Sequence, residues 1–238
     1  GPSDPILSRL AQSDFDQLWL LAVDAGDGLT KEDCAGITAF AERGGSILSA
    51  RDHQDCGASI CTVGPIGAAH FFHSKNMDPD ESRRRGDDQA NRSIDWPNYH
   101  SGENGGYQPV RIEGALHPLL RRADGSAIKR FPAHPHEGDV GVPPGTTGFR
   151  AIATGVSRTT GQPFNLVVVS EKRGRGRGIA ESSFHHFADY NWDPRLGCPS
   201  FVDEKPVDDV VRDPAGLDDV RTYIRNAVRW FAESGKSR

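Results

Sequence analysis

Two short apolar runs on either side of one amphipathic helix constrain this chain more than any other feature. Leu18 to Val23 is apolar at every position, as in a strand covered on both faces. Asp24 to Leu29 reads as a turn. Thr30 follows as an N-cap, with Asp33 three residues on in an imperfect capping box. Cys34, Ile37, Phe40 and Ala41 fall on one helical face, and Gly44 and Gly45 stop the helix. Ser46 to Ala50 is the second buried run. A strand, a helix and a strand in that order make a right-handed crossover between parallel strands. An α/β fold with a mostly parallel sheet is therefore expected.

Later elements are sparser. Val110 to Ile112 reads as a short strand and His117 to Leu120 as a helical turn. Arg150 to Thr154 and Phe164 to Ser170 read as strands around a turn at Thr160 and Gly161. Arg173 to Gly178 reads as a second turn, feeding a strand that runs to Phe184. The last helix spans Leu217 to Glu233, with Leu217, Val220, Ile224, Ala227, Val228 and Phe231 as its apolar stripe. Residues 51–109 and 131–148 read as long, polar, Gly- and Pro-bearing loops. No repeat or linker divides the 238 residues, so residues 1–238 are expected to form a single domain. Residues 4–17 read as helix and turn, whereas a doubly wound domain ordinarily opens on a strand. That mismatch points to a first strand missing from the N-terminus.

A net charge of −5 offers no electrostatic case for nucleic acid or anionic membranes. No apolar run approaches the roughly 20 residues of a membrane span, and no secretion signal opens the sequence. Cys34, Cys56, Cys61 and Cys198 form no CxxC pair and are too few for a disulfide scaffold. Reduced thiols in a cytoplasmic protein are expected, with a small-molecule substrate or ligand as partner and a homo-oligomer left open.

Chemistry-bearing residues gather in four segments. Gly178 to Asp193 begins as a strand and ends in His185, His186, Asp189 and Asp193. On a strand the two histidines face opposite sides, so one of them enters a site. Asp189 is placed to orient an imidazole. The alternative is a satisfied histidine pair at a sheet edge. Arg51 to Cys56 follows the second buried strand, and open α/β sheets bind ligands at carboxyl strand ends. Asp52 and His53 there suit an acid/base pair or metal ligands, or else Arg51 and Asp52 merely pair or cap a helix.

His134 and His136 flank Pro135, which holds His134 extended, so both imidazoles project to one side. With Glu137 they form a donor set for zinc or iron, or a structural loop bonded to backbone. Trp96, Tyr99 and His100 offer a pocket wall, or anchor a long loop to the core. No dinucleotide fingerprint, Walker loop or GxSxG elbow is present.

The strand entry at Asp16 to Val23, Glu42 to Ala50 ahead of a sharp turn, and Ala180 to His186 together resemble the class I glutamine amidotransferase-like superfamily. The resemblance is to its ThuA-like (trehalose utilisation) branch, and it covers residues 15–235. It implies a flavodoxin-like, doubly wound domain with long loop insertions. In glutamine amidotransferases the late strand ends in Phe-His-Pro-Glu, with the histidine as base. Phe184 and His185 match the first two positions, which implies His185 as the base, while His186 and Phe187 replace the Pro and Glu. Where the family places a nucleophilic Cys, this chain reads Ala50, Arg51, Asp52, His53, and Cys56 comes later. ThuA-like proteins also lack that cysteine, so glutamine hydrolysis by the usual triad is not expected.

The functional expectation is an enzyme, hydrolase-like or lyase-like, acting on a small polar substrate. His185 is its general base, with Asp52, His53 and Asp189 assisting. Arg51, Tyr99, His100, Glu137 and His186 contact substrate. A divalent metal at His134 and His136 would activate water in place of the missing nucleophile. The alternative is a non-catalytic module of the same fold that binds a sugar or metabolite.

Overall fold

In the computed structural model, the described residues are 1–21, 28–87, 91, 93–171, 176–197 and 204–234. Ala22, Val23, most of the turn after them, Arg173 to Arg175 and Cys198 lie outside these. Strand β1 (Gln17–Leu21) pairs in parallel with β2 (Ser46–Ala50), and helix α1 (Lys31–Glu42) lies between them in sequence. Thr30 and Asp33 close a complete capping box: Asp33 N–H donates to Thr30 Oγ1 at 3.2 Å and Thr30 N–H to Asp33 Oδ2 at 3.0 Å. Asp33 also accepts from Asp4 N–H at 2.8 Å, which ties the N-terminal turn to α1.

The remaining strands are β3 (His70–Phe71), β4 (Tyr107–Pro109), β5 (Arg111–Ile112), β6 (Arg130–Pro132), β7 (Asp139–Val140), β8 (Phe149–Val156), β9 (Pro163–Ser170) and β10 (Gly178–Glu181). Helices α2 (Asp189–Trp192), α3 (Asp209–Arg212) and α4 (Leu217–Ser234) follow. The main sheet has the order β1-β2-β10-β9-β8-β5.

The expectation of a mostly parallel sheet is corrected here. Only β1·β2 and β2·β10 are parallel, while β10·β9, β9·β8 and β8·β5 are antiparallel. For β8·β9 and β9·β10 the reason is connection length. A parallel pair needs a crossover of a dozen or more residues, and only residues 157–162 and 171–177 separate these strands. The loop reading of 131–148 is also refined. Two ribbons, β3·β7 and β4·β6, pass through it and through 51–109, each too short to show a sequence period.

Two cores sandwich the sheet. Leu48, Val167, Val169 and Ile179 share one with Leu217, Val220, Tyr223, Ala227, Trp230 and Phe231 of α4. Ile47, Val168 and Ala180 share the other with Ile37, Phe40 and Ala41 of α1. Burying each large apolar side chain contributes about 1.5–3 kcal/mol. In α4 the core stripe runs through Tyr223 and Trp230, whereas Val228, read as part of it, is 46% exposed. No helix among the described residues is long and apolar enough to cross a membrane.

Candidate functional site

Strands β2 and β10 run parallel in register, with Ala50 opposite Glu181, so both release their chains at the same edge of the sheet. The segments that follow are stitched together. Phe184 N–H donates to the Arg51 carbonyl at 2.8 Å, and Gly138 N–H to the Ser182 carbonyl at 2.9 Å. The 133–138 loop is held from its other side by a reciprocal pair between Tyr99 and Glu137 and by Ser101 N–H on the His134 carbonyl. A Cβ on Gly138 would fall 2.1 Å from Arg51 Nε and 2.4 Å from the Asp52 carbonyl, so the close approach of the two loops requires glycine.

This convergence brings four imidazoles together. The ring of His134 stacks on that of His185, with centroids 3.3 Å apart. His136 meets His134 edge-on at 5.4 Å, and His53 meets His136 edge-on at 5.5 Å. Asp52 stands among them, with Oδ1 3.9 Å from His185 Nε2 and Oδ2 3.9 Å from His53 Nε2. His136 faces Glu204 at 3.1 Å and Asn98 at 3.3 Å. Of these four, His53 is the imidazole most open to solvent, with 21% of its side chain exposed.

Two asparagines set the tautomers. Asn191 Nδ2 donates to Asn104 Oδ1 at 2.8 Å and to the Ala133 carbonyl at 3.2 Å, which turns its Oδ1 toward His185 Nδ1 at 3.0 Å. Asn104 Oδ1 faces His134 Nδ1 at 2.8 Å. An amide oxygen can only accept, so each Nδ1 carries the proton and each Nε2 keeps its lone pair. The Tyr190 hydroxyl also touches His185 Nδ1, at 2.6 Å. Burial pulls His185 down to about 4, against the opposing pull of the Asp52 carboxylate. Burial, together with the neighbouring His185 and His136, pulls His134 well below the usual imidazole range. Both rings are neutral near pH 7.

One ring nitrogen of His134, one of His185 and a carboxylate oxygen of Asp52 lie within 4.8 Å of one another. Two imidazoles and a carboxylate suit a borderline divalent cation. Ligands sit about 2.0–2.2 Å from such an ion, so to share it the three atoms must draw together slightly. His134 and His136, read as a ligand pair, meet edge-on, whereas the stacked partner of His134 is His185 and His136 turns to Glu204.

His186 leaves the cluster. Phe184 to His186 form a single 3-10 turn, and this turn, in place of strand alternation, separates the two histidines. His186 is fully buried, with Nδ1 3.1 Å from Glu181 and Nε2 3.4 Å from Glu137. Burial alone would discharge it, but the carboxylates of Glu137 and Glu181 outweigh that and raise it to about 9. Glu137 also accepts from Ser182 at 2.7 Å and from Gln108, and Tyr223 donates to Glu181. These residues form an internal ion network sealed from solvent.

Other expected site residues hold the scaffold. The Arg51 guanidinium is fully buried over the Phe72 ring and donates to the carbonyls of Asp52, Gln54 and Asp139. Burial and the neighbouring Asp78 raise Asp139 well above the usual carboxylate range, while Arg83 clamps Asp78 at 2.8 and 2.9 Å. Tyr99 stacks on Phe164 at 4.7 Å inside the core. His100 gives its carbonyl to Arg158 N–H, and among the described residues no contact joins its ring to the cluster. Asp189 is exposed and caps Tyr190 N–H. It lines a groove of about 430 Å³ with Trp192, Asp193, Arg195 and Arg221, and none of the four imidazoles takes part in that lining. The orienting role read for Asp189 falls to Asn191 and Tyr190, which sequence reasoning passed over, as it did Asn104.

No protein-family model matches the chain, and no curated protein does. Among solved structures, a ThuA-like protein from Bacteroides uniformis ATCC 8492 aligns with a TM-score of 0.42 and 13% identity, over 96% of this chain and 75% of that one.

Proposed function

We propose that this chain is a metal-dependent enzyme, hydrolase-like or lyase-like, on a flavodoxin-like scaffold of the amidotransferase-like type. One divalent cation, zinc or ferrous iron, is held by Asp52, His134 and His185. The observation that carries the reading is that a ring nitrogen of His134, one of His185 and a carboxylate oxygen of Asp52 lie within 4.8 Å of one another, with Asn104 and Asn191 behind the two Nδ1 atoms. Metal-ligating histidines are ordinarily oriented in this way through their other nitrogen. A cation bound there would lower the pKa of water and polarise a substrate oxygen.

The protein groups divide the remaining work. His185, held near 4 by burial, is a poor base at neutral pH and serves better as a ligand than as the proton acceptor that the amidotransferase resemblance implies. His53, at the mouth beside Asp52, is the imidazole of the cluster that a small polar substrate and solvent reach first. His136 with Glu204 forms the adjacent wall.

The test is metal content. Protein stripped by chelator and reloaded with zinc or ferrous iron is expected to retain at least one equivalent per chain after desalting. The His134→Ala/His185→Ala double variant is expected to lose it. Retention by that variant would discard the site. Bound metal without turnover across ester, glycoside and hydroxy-acid substrates would favour the ligand-binding module.

A further inference from the structure

We propose that Asp52 is a bridging carboxylate and that a second divalent cation lies beside the first, held by Asp52, His53 and Cys56. This rests on the reading of the first cation, and it gives a role to a cysteine that falls too late for a nucleophile.

Three observations carry the proposal. A carboxylate oxygen of Asp52, a ring nitrogen of His53 and the sulfur of Cys56 lie within 4.8 Å of one another, a second triple sharing only Asp52 with the first. The Asp52 carboxylate reaches both ways: Oδ1 lies 3.9 Å from His185 Nε2 and accepts from His53 N–H at 2.8 Å, and Oδ2 lies 3.9 Å from His53 Nε2. That is how a carboxylate stands between two ions, and paired catalytic ions sit about 3.5–4 Å apart.

The third observation is how the turn is held. Cys56 N–H donates to the His53 carbonyl at 3.1 Å, which folds the two side chains together. Gln54 between them has φ of 47°, the left-handed region that a non-glycine residue rarely adopts. Buried Arg51 grips the carbonyls of Asp52 and Gln54, at 2.6 Å each, so the turn is clamped from beneath. Cys56 is partly buried and is not a disulfide partner.

The donor set names the ion class. One thiolate, one imidazole and one carboxylate select zinc or cobalt over magnesium or calcium. Binding displaces the thiol proton to solvent and leaves the sulfur as thiolate.

Cobalt(II) titration of chelator-stripped protein under reducing conditions decides the matter. The expected result is two equivalents per chain, with a thiolate-to-cobalt charge-transfer band in the near ultraviolet. Cys56→Ser and His53→Gln are each expected to bind one equivalent, and Cys56→Ser to lose the band. The His134→Ala/His185→Ala variant is expected to keep the band while losing one equivalent, and Asp52→Asn to weaken both. One equivalent with no thiolate band, dependent on His134 and His185, would overturn the second ion and leave the first standing. A band that survives in Cys56→Ser would overturn it too. No cobalt at all would remove both.

Discussion

The imidazole of His134 lies face to face with that of His185, their planes 16° from parallel and their centroids 3.3 Å apart. Two protonated rings at that distance would repel strongly, so the stack exists only with charge kept off it. Burial, Asn104 and Asn191 accomplish this together. The pair therefore offers lone pairs, and its value depends on the two amides behind it.

Asn191→Ala removes the acceptor that orients His185 and a donor to Asn104. Loss of a partner behind a metal-binding histidine typically costs about 10–100-fold in affinity. Competition against a chromophoric chelator is expected to show a weakening in that range for the zinc-loaded protein. An unchanged affinity would remove the orienting role.

Arg51→Met is expected to lower stability by about 3–5 kcal/mol in urea unfolding, because the buried guanidinium satisfies three carbonyls and lies beside the Asp78–Asp139 pair. Arg51→Lys recovers only part of this, since one ammonium cannot span the fork. A loss under 1 kcal/mol in the Met variant would show that the cation is dispensable.

Gly138→Ala places a methyl against Arg51 Nε and the Asp52 carbonyl. Relief requires the two loops to part, at a cost of about 1–3 kcal/mol. Metal affinity is expected to fall with it, because the same displacement carries His134 and His136 away from Asp52. Normal affinity with a lowered unfolding midpoint would mean that the loops move without disturbing the ligands.

His117 supplies a pH dependence remote from the cluster. Its Nδ1 accepts from Leu119 N–H at 3.2 Å, its ring meets Trp230 edge-on, and burial lowers it to about 4. The unfolded chain takes up that proton near pH 6.5 and the folded chain only near 4. Between these values the unfolded state binds more protons, so stability is intact above 6.5 and declines as the pH falls toward 4. His117→Asn, which can keep the cap, is expected to flatten the decline when unfolding midpoints are compared from pH 7 to 4. An identical slope would assign the decline to other buried histidines.

What the sequence made legible follows the range of each interaction. The β1-α1-β2 unit and α4 are periodic and local, so their positions emerged directly. The direction of β8, β9 and β10 is decided by connection length, which the strand pattern does not carry. At the site, Asp52, His53, His134, His136 and His185 were visible as reactive types at loop starts, and they do meet. His100 carries the same kind of side chain but lies apart. Asn104 and Asn191 were invisible because an amide has no signature until the ring it orients lies beside it. Asp189, two residues from Asn191, drew the role because carboxylates more often fill it.

Strand β2 has β1 on one side from early in the chain, but its other edge waits for β10, which arrives only after the hairpin of β8 and β9. Until then Ile47 and Leu48 present open backbone groups to any passing strand. Ribosomal products that stop short of Gly178 are therefore expected to self-associate and be cleared, leaving no soluble half-domain with half a ligand set.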